Sequence, residues 1–257
     1  VLRERDLRDD DPTTGRRGQL LPRGGLEACY RGHLGTAREM VEEGRWDPRF
    51  AVCQQGSTAI HWAATGGHRD VLRWLIEEKN MDVNAKNKAG RTPLMFAAKY
   101  GHRACVEWLV EEGGANLRCR AGDDSDVFAW AVYGSNLATL DAVASHLSVS
   151  ELGRTNKFGC SAIHWAAAGG DVVVLKWLHA RGLSFDVVNN AGFGAVSKAA
   201  YRRHKEALRW LLLDKEGPSL LWQLQPRLDV ELARKICGHS DGDETCTLEK
   251  LIVDGGW

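Results

Sequence analysis

The stretch GSTAIHWAA, residues 56–64, decides the fold because it recurs along the chain. It returns as GRTPLMFAA at residues 90–98 and as GCSAIHWAA at residues 159–167. The hydroxyl residue at its third position recurs after 34 residues and then after a further 69, so the period is about 34 residues. Self-similarity at such a period indicates an array of small helical units, each stacked on its neighbours.

Each copy has the pattern of a turn, a short helix, a tight break and a second helix. In residues 56–89, Gly56 supplies the turn, and Thr58 is placed to cap the first helix with its hydroxyl group. Gly67 and the following histidine end that helix, and apolar spacing predicts a second helix over Val71–Glu77. By the same pattern we expect Thr92 to cap the first helix of the next copy.

The turn-Thr-Pro-Leu-His-x-Ala-Ala motif, the Gly-His break and the Asp-Val-Asn-Ala exit at residues 82–85 resemble the ankyrin repeat. The resemblance implies an all-α ankyrin-repeat solenoid of about six helix-pair repeats of 33–35 residues, with a degenerate C-terminal repeat. We expect an ankyrin-repeat domain over residues 23–257. Its predicted repeats are residues 23–55, 56–89, 90–123, 124–158, 159–191, 192–217 and, in degenerate form, 228–254.

Departures from the motif predict where the array is less regular. The fourth repeat lacks the turn glycine and the proline, although Asp126 can still cap its first helix. The sixth carries Gly194 where a capping hydroxyl belongs, so we expect both repeats to be less regular than the others. Residues 1–22 are polar and charged, which predicts a flexible lead-in, and the prolines in residues 215–227 predict an irregular link.

Charge and hydropathy limit the classes of partner. The 34 basic and 34 acidic residues give a formal net charge of zero, and neither sign forms a dominant block. We therefore expect no nucleic-acid partner. No apolar run approaches the roughly 18 residues of a membrane span, and the charged start does not resemble a signal peptide. We expect a monomer without a membrane span.

The seven cysteines are an odd number, which argues against a disulfide framework. Cys29 and Cys105 fall at repeat positions that suit small buried side chains. This usage is typical of a reducing compartment, so we expect a cytoplasmic protein.

Histidine and tryptophan recur at fixed positions of the repeat, which favours structural roles over catalytic ones. His61 and His164 occupy one repeat position, where the resemblance implies a hydrogen bond to the neighbouring turn. Seven of the ten tryptophans fall at two positions, as stacking against like neighbours requires. The sequence contains no metal-ligand spacing, nucleophile elbow or phosphate-binding glycine motif, so we predict no enzyme activity, no cofactor and no metal.

The tyrosines provide the sharpest functional signal, since all four follow the Ala-Ala position of a first helix. The resemblance implies that these positions face a concave groove beside the turn fingertips. Tyrosine is a common contact residue at interfaces. The alternative is that these positions are merely exposed and tolerate any residue. The predicted partner-binding residues are Tyr30, Arg31, Lys88, Arg91, Lys99, Tyr100, Tyr133, Lys157, Phe158, Asn190, Phe193, Tyr201 and Arg202.

A rigid repeat surface suits recognition, so the sequence predicts a non-enzymatic scaffold that binds another protein through the groove and fingertips. The mixture of aromatic and basic residues suggests a partner segment with acidic and apolar side chains. In the alternative, this chain is the recruiting segment of a larger enzyme or membrane protein. The first residue is Val rather than Met, which favours that alternative.

Overall fold

A computed structural model describes residues 24–214 and 216–220. The predicted lead-in over residues 1–22 and the predicted seventh repeat over residues 228–254 lie outside the described residues, as does most of the predicted link. Thirteen α-helices and no β-strand occur within the described part. The chain divides into an N-terminal body, residues 1–147, and a C-terminal body, residues 148–257, and each is described by itself.

The N-terminal body consists of four helix pairs. First helices pack in the order α1, α3, α5 and α7, and each also packs against the second helix that follows it. Helix α4 continues as a π-helical turn over Trp74–Glu78. The helices are α1 Gly25–Arg31, α2 Leu34–Glu42, α3 Ala59–Gly66, α4 Arg69–Arg73, α5 Pro93–Lys99, α6 Arg103–Glu111, α7 Val127–Gly134 and α8 Leu137–Ala144.

The C-terminal body contains two further pairs behind a short helix. First helices α10 and α12 pack together, as do second helices α11 and α13. The helices are α9 Val149–Leu152, α10 Ala162–Gly169, α11 Val172–Ala180, α12 Ala195–Tyr201 and α13 Lys205–Leu213. The all-α prediction is therefore confirmed.

Small residues allow the first helices to approach closely. Ala63 and Ala64 are completely buried in α3. A Cβ atom at Gly66 would overlap the carbonyl oxygen of Tyr30 in the preceding first helix. The break after α3 is made by Gly67, whose φ of 77° lies in the left-handed region that glycine adopts without strain. The small residues of the motif are thus required by the short distance between first helices. The glycine after the helix is required by the left-handed backbone at the chain reversal.

The fourth repeat is less regular than the second and third at its glycine positions and after its second helix, as its sequence predicts. Asp124 and Ser135 have φ of 70° and 56° where those repeats have glycine, and the extra helix α9 follows α8 in the sequence. Its first helix is regular. Helix α7 has eight residues, as many as α3, and the Asp126 carboxylate accepts a hydrogen bond from the Ala129 N–H at 2.9 Å. The predicted aspartate cap is therefore present. Irregularity occurs also in the second repeat, where α4 begins at Arg69, two residues before the predicted start, and changes to the π-helical turn.

The predicted Thr92 cap is wrong. Thr92 has the extended backbone of an N-cap residue, but its Oγ1 atom is buried and makes no hydrogen bond. In the second repeat, Thr58 Oγ1 contacts the ring of His61 three residues later. The third repeat has Met95 at that position, so the threonine hydroxyl lacks a polar group to meet.

Candidate protein-binding surface

Asparagine side chains shape three of the turns. Asn87 Oδ1 accepts hydrogen bonds from two backbone N–H groups within its turn, at 3.0 Å each. Asn156 and Asn189 do the same in the turns of the fifth and sixth repeats. All three asparagines begin an Asn-x-x-Gly sequence. This pattern was overlooked in the motif comparison, although its recurrence in the sequence indicates a repeated turn. These bonds hold each turn in one conformation before any partner arrives.

Backbone hydrogen bonds also join neighbouring turns into an edge. In the N-terminal body, the Lys88 N–H donates to the Gln55 carbonyl at 3.1 Å, and the Gly122 N–H donates to the Ala89 carbonyl at 2.8 Å. In the C-terminal body, the Asn190 N–H donates to the Phe158 carbonyl at 3.0 Å. Each body therefore has a turn edge, the ordered row of turns that precede its first helices.

His61 ties its first helix to the next turn. Its Nδ1 accepts a hydrogen bond from the Thr58 N–H at 3.2 Å, while Nε2 lies 3.1 Å from the carbonyl oxygens of Ala85 and Arg91. Because a carbonyl oxygen only accepts, Nε2 must carry the proton and the ring is neutral. Burial lowers the pKa of His61 from 6.5 to about 4. The predicted structural role of this position is confirmed.

His164 repeats the arrangement in the C-terminal body. Its Nδ1 accepts from the Ser161 N–H, and its Nε2 donates to the Phe193 carbonyl, both at 3.0 Å. Burial again lowers the pKa, to about 4. Histidine also recurs at the start of the second helices, where it contacts the first helix of the preceding repeat. His102 Nε2 donates a hydrogen bond to the Thr65 carbonyl of α3 at 2.8 Å. These histidines serve to join repeats.

Two predicted contact residues of the N-terminal body are buried. Arg91 and Lys99 are each only 8% exposed, which corrects the expectation that they project from the surface. The Arg91 guanidinium lies 4.6 Å from the ring centre of Trp130, and Lys99 Nζ lies 5.8 Å from the same ring. The indole of the next repeat attracts both cations and covers them.

The tyrosines of the N-terminal body differ in exposure. Tyr30 is half-buried and meets Trp62 edge-on at 5.9 Å between ring centres. Lys99 Nζ lies 5.0 Å from the ring centre of Tyr100, which is half-buried, and 5.6 Å from that of Tyr133. Tyr133 is 38% exposed. These tyrosines therefore pack within the fold and remain partly exposed.

The remaining predicted residues of the N-terminal body are charged and exposed. Arg31 forms an ion pair with Glu27 one turn earlier in α1, at 2.8 Å. Lys88 extends its ammonium group to the Gln54 carbonyl at 3.0 Å, across to the preceding turn. Such exposed contacts add little stability and can be exchanged for a partner's groups.

The predicted residues of the C-terminal body are more accessible. Tyr201 is 72% exposed and Phe193 is 39% exposed, and Arg202 is also exposed. Lys157 Nζ lies 5.2 Å from the ring centre of Phe158. The Asn190 amide donates to the Lys157 carbonyl at 3.0 Å. The turns and α12 thus present aromatic rings beside lysine and arginine.

The tryptophans of the second helices are packing residues, as their position predicts. Trp74 and Trp108 are buried, and each is covered by an arginine of the preceding second helix. The ring centres lie 5.9 Å from the guanidinium carbon of Arg38 and 5.7 Å from that of Arg73, respectively. These two rings therefore pack between neighbouring repeats.

The described residues contain no group of three or more His, Cys, Asp or Glu side chains arranged to hold a metal ion. Within residues 24–214 and 216–220, every helix is too short or too polar to cross a membrane. The accessible aromatic and basic residues of the turns and first helices form the candidate site.

Comparisons with known proteins agree with this fold. The family model for ankyrin repeats in three copies matches residues 26–121, and the model for ankyrin repeats in many copies matches residues 163–212. Osteoclast-stimulating factor 1 from Bos taurus is 40% identical over 61 residues, which are 23% of this chain and 26% of that protein. Its Rattus norvegicus counterpart is 38% identical over the same length. The chain thus spans about a quarter of these relatives.

A solved structure is also similar. It is a chain from the complex of a predatory endopeptidase of Bdellovibrio bacteriovorus with an immunity protein, at a TM-score of 0.59 and 24% identity. The match covers 73% of this chain and 95% of that one, and it shows likeness of fold alone. The family models together span more than half of the residues. The chain belongs to the ankyrin-repeat family.

Proposed function

We propose that this chain is a non-enzymatic interaction module that binds another protein through its turn edges and first-helix surfaces. Ankyrin repeats are generally protein–protein interaction modules, and two family models match here. The observation that carries the proposal is the exposure of Tyr201 and Phe193, at 72% and 39%, beside ordered turns. Large aromatic side chains held on a rigid support are favourable contact residues because little conformational entropy is lost on binding.

Several features support a recognition role over catalysis. His61 and His164 are deeply buried and neutral, and their ring nitrogens are hydrogen-bonded to backbone groups. Neither is therefore available as a general base. Cys29 and Cys105 are also buried, and burial raises the pKa of their thiols to about 12 and about 11. Such thiols are poor nucleophiles at neutral pH. We further propose a cytoplasmic location, consistent with free thiols at all five cysteines of the described part.

Site-specific photo-crosslinking tests the binding surface. A photoreactive phenylalanine analogue replaces Tyr201 in one sample and Val173, an exposed residue of α11, in the other. Both forms are exposed to a cell extract, and the crosslinked proteins are identified by mass spectrometry. We expect a specific protein at Tyr201 and none at Val173. Crosslinks to one protein at Val173, with none at Tyr201, would refute the proposed surface.

A further inference from the structure

The C-terminal body carries positive charge on the turn before α10, on α12 and directly after α12. Residues 156–169 and 189–203 comprise the turns with α10 and α12, and they contain no Asp or Glu. The same stretches contain the cations Lys157, Lys198, Arg202 and Arg203. The acidic residues of this body lie elsewhere in the described sequence, and Asp171, for example, caps α11. This surface therefore differs from the chain as a whole, whose formal net charge is zero.

Aromatic rings lie among these cations. Lys157 stands over Phe158, and Lys198 Nζ lies 6.0 Å from the ring centre of Phe193. Tyr201 lies one turn after Lys198 on α12 and is mostly exposed. A partner side chain can contact an exposed ring while a neighbouring carboxylate meets the ammonium group above it.

The support of this surface is already ordered. Asn190 links the two turns through its N–H and its amide group, which donate to the carbonyls of Phe158 and Lys157. Asn189 Oδ1 accepts the N–H of Phe193 at 3.0 Å and fixes the start of the sixth repeat. Binding here would immobilise side chains but not the backbone, which lowers its entropic cost.

The corresponding surface of the N-terminal body is less suited to an acidic partner. Arg91 and Lys99 are buried against Trp130. The following turn is acidic, with Asp123 and Asp124. A carboxylate that approached there would meet like charge and partly covered cations.

Resting on the proposed function, we infer that the C-terminal body binds an acidic segment of a partner protein that also carries aromatic or large aliphatic side chains. The basic aromatic surface that takes it consists of Lys157, Phe158, Phe193, Lys198, Tyr201 and Arg202. Charge complementarity selects the carboxylates, and the exposed rings of Phe193 and Tyr201 select the apolar side chains. Duplex nucleic acids are bound by neutralising about six to ten phosphates. The three cations of this surface, one on the turn before α10, one on α12 and one at the C-terminal end of α12, fit a few carboxylates better.

Differential peptide selection tests this inference. A phage library of random 16-residue peptides is selected on the full chain. Enriched peptides are then measured by fluorescence anisotropy against the parent and two variants. One variant combines Lys157→Glu, Lys198→Glu and Arg202→Glu. The matched control reverses three exposed charges of the second helices, through Lys176→Glu, Lys205→Glu and Arg209→Glu. Circular dichroism confirms that both variants remain folded.

We expect enriched peptides that combine Asp or Glu with aromatic or Leu residues. Their affinity should fall at least tenfold for the surface variant and change less than about threefold for the control. Failure to enrich acidic peptides, or equal losses in both variants, overturns the inference. Neutral peptides that still lose affinity when Phe193→Ala and Tyr201→Ala are combined would refute the acidic partner but retain the proposed surface. A 16-nucleotide single strand that binds more tightly than every peptide would refute a protein partner.

Discussion

Neutral, buried His61 makes a specific prediction about stability at acid pH. Burial lowers the pKa of this histidine from 6.5 to about 4, because the charged ring is disfavoured away from water. Above pH 6.5 the folded and unfolded states both hold a neutral ring, so stability does not depend on this group. Between pH 6.5 and about 4, the histidine binds a proton in the unfolded state but remains neutral in the folded state. Stability must therefore fall as the pH falls through this window.

The magnitude follows from the pKa difference. Each pKa unit corresponds to about 1.4 kcal/mol, so full protonation in the unfolded state costs about 3 kcal/mol by pH 4. His164, with its pKa also near 4, should add a similar loss. Natural domains are stable by about 5–15 kcal/mol, so these two residues can remove a large part of the margin.

The assay is urea unfolding followed by circular dichroism at intervals from pH 7.5 to pH 4.5. The variant is His61→Met, since the third repeat carries Met95 at the same position and still forms its helix. It should be less stable at pH 7.5, because the Ala85 and Arg91 carbonyls lose their donor. It should also lose less stability on acidification, with a slope smaller by up to about 1.4 kcal/mol per pH unit.

Ile60→Val provides the matched control, because Ile60 is fully buried in the same helix and does not titrate. This change should cost about 0.5–1.5 kcal/mol at every pH and leave the slope unchanged. If His61→Met and Ile60→Val showed the same pH slope as the parent, the argument from a neutral buried ring would be wrong.

Other substitutions test the local geometry by urea unfolding. Thr92→Val should leave the free energy of unfolding unchanged or raise it, because the Thr92 hydroxyl makes no hydrogen bond. Asp126→Ala should lower it by about 0.5–2 kcal/mol, because the helix cap is lost. Equal costs for the two changes would contradict this. Gly66→Ala should destabilise the fold because the added Cβ atom would overlap a backbone carbonyl. At Gly169 an added Cβ atom has no neighbour within 4 Å, so Gly169→Ala should stabilise the fold by up to about 1 kcal/mol. The reverse order of stabilities would count against the packing described. Asn156→Ala should cost about 1–3 kcal/mol because two turn N–H groups lose their acceptor, and an unchanged transition would refute that role.

Much of the fold was predictable because repeat positions carry local physical requirements. The glycine at the end of α3 needs a left-handed backbone, and Asp126 has a side chain that can cap wherever the backbone presents a helix start. The role of His61 was predictable from the family resemblance, and His164 makes the same kind of contact with the next turn. The prediction of a Thr92 cap was wrong because it considered the threonine alone. The hydrogen bond of this hydroxyl depends also on the residue three positions later, which is His61 after Thr58 but Met95 after Thr92.

The sequence by itself determined the period, the helix pairs and the all-helical character of the part that the structure describes, because these depend on spacings within one repeat. It also grouped the tyrosines at one position. Only the tertiary structure decided which of the predicted contact residues are accessible. Arg91 and Lys99 are covered because the indole of Trp130 belongs to the next repeat, while Tyr201 remains 72% exposed. Exposure is set by neighbours across the stack, and the pattern of a single repeat does not contain them.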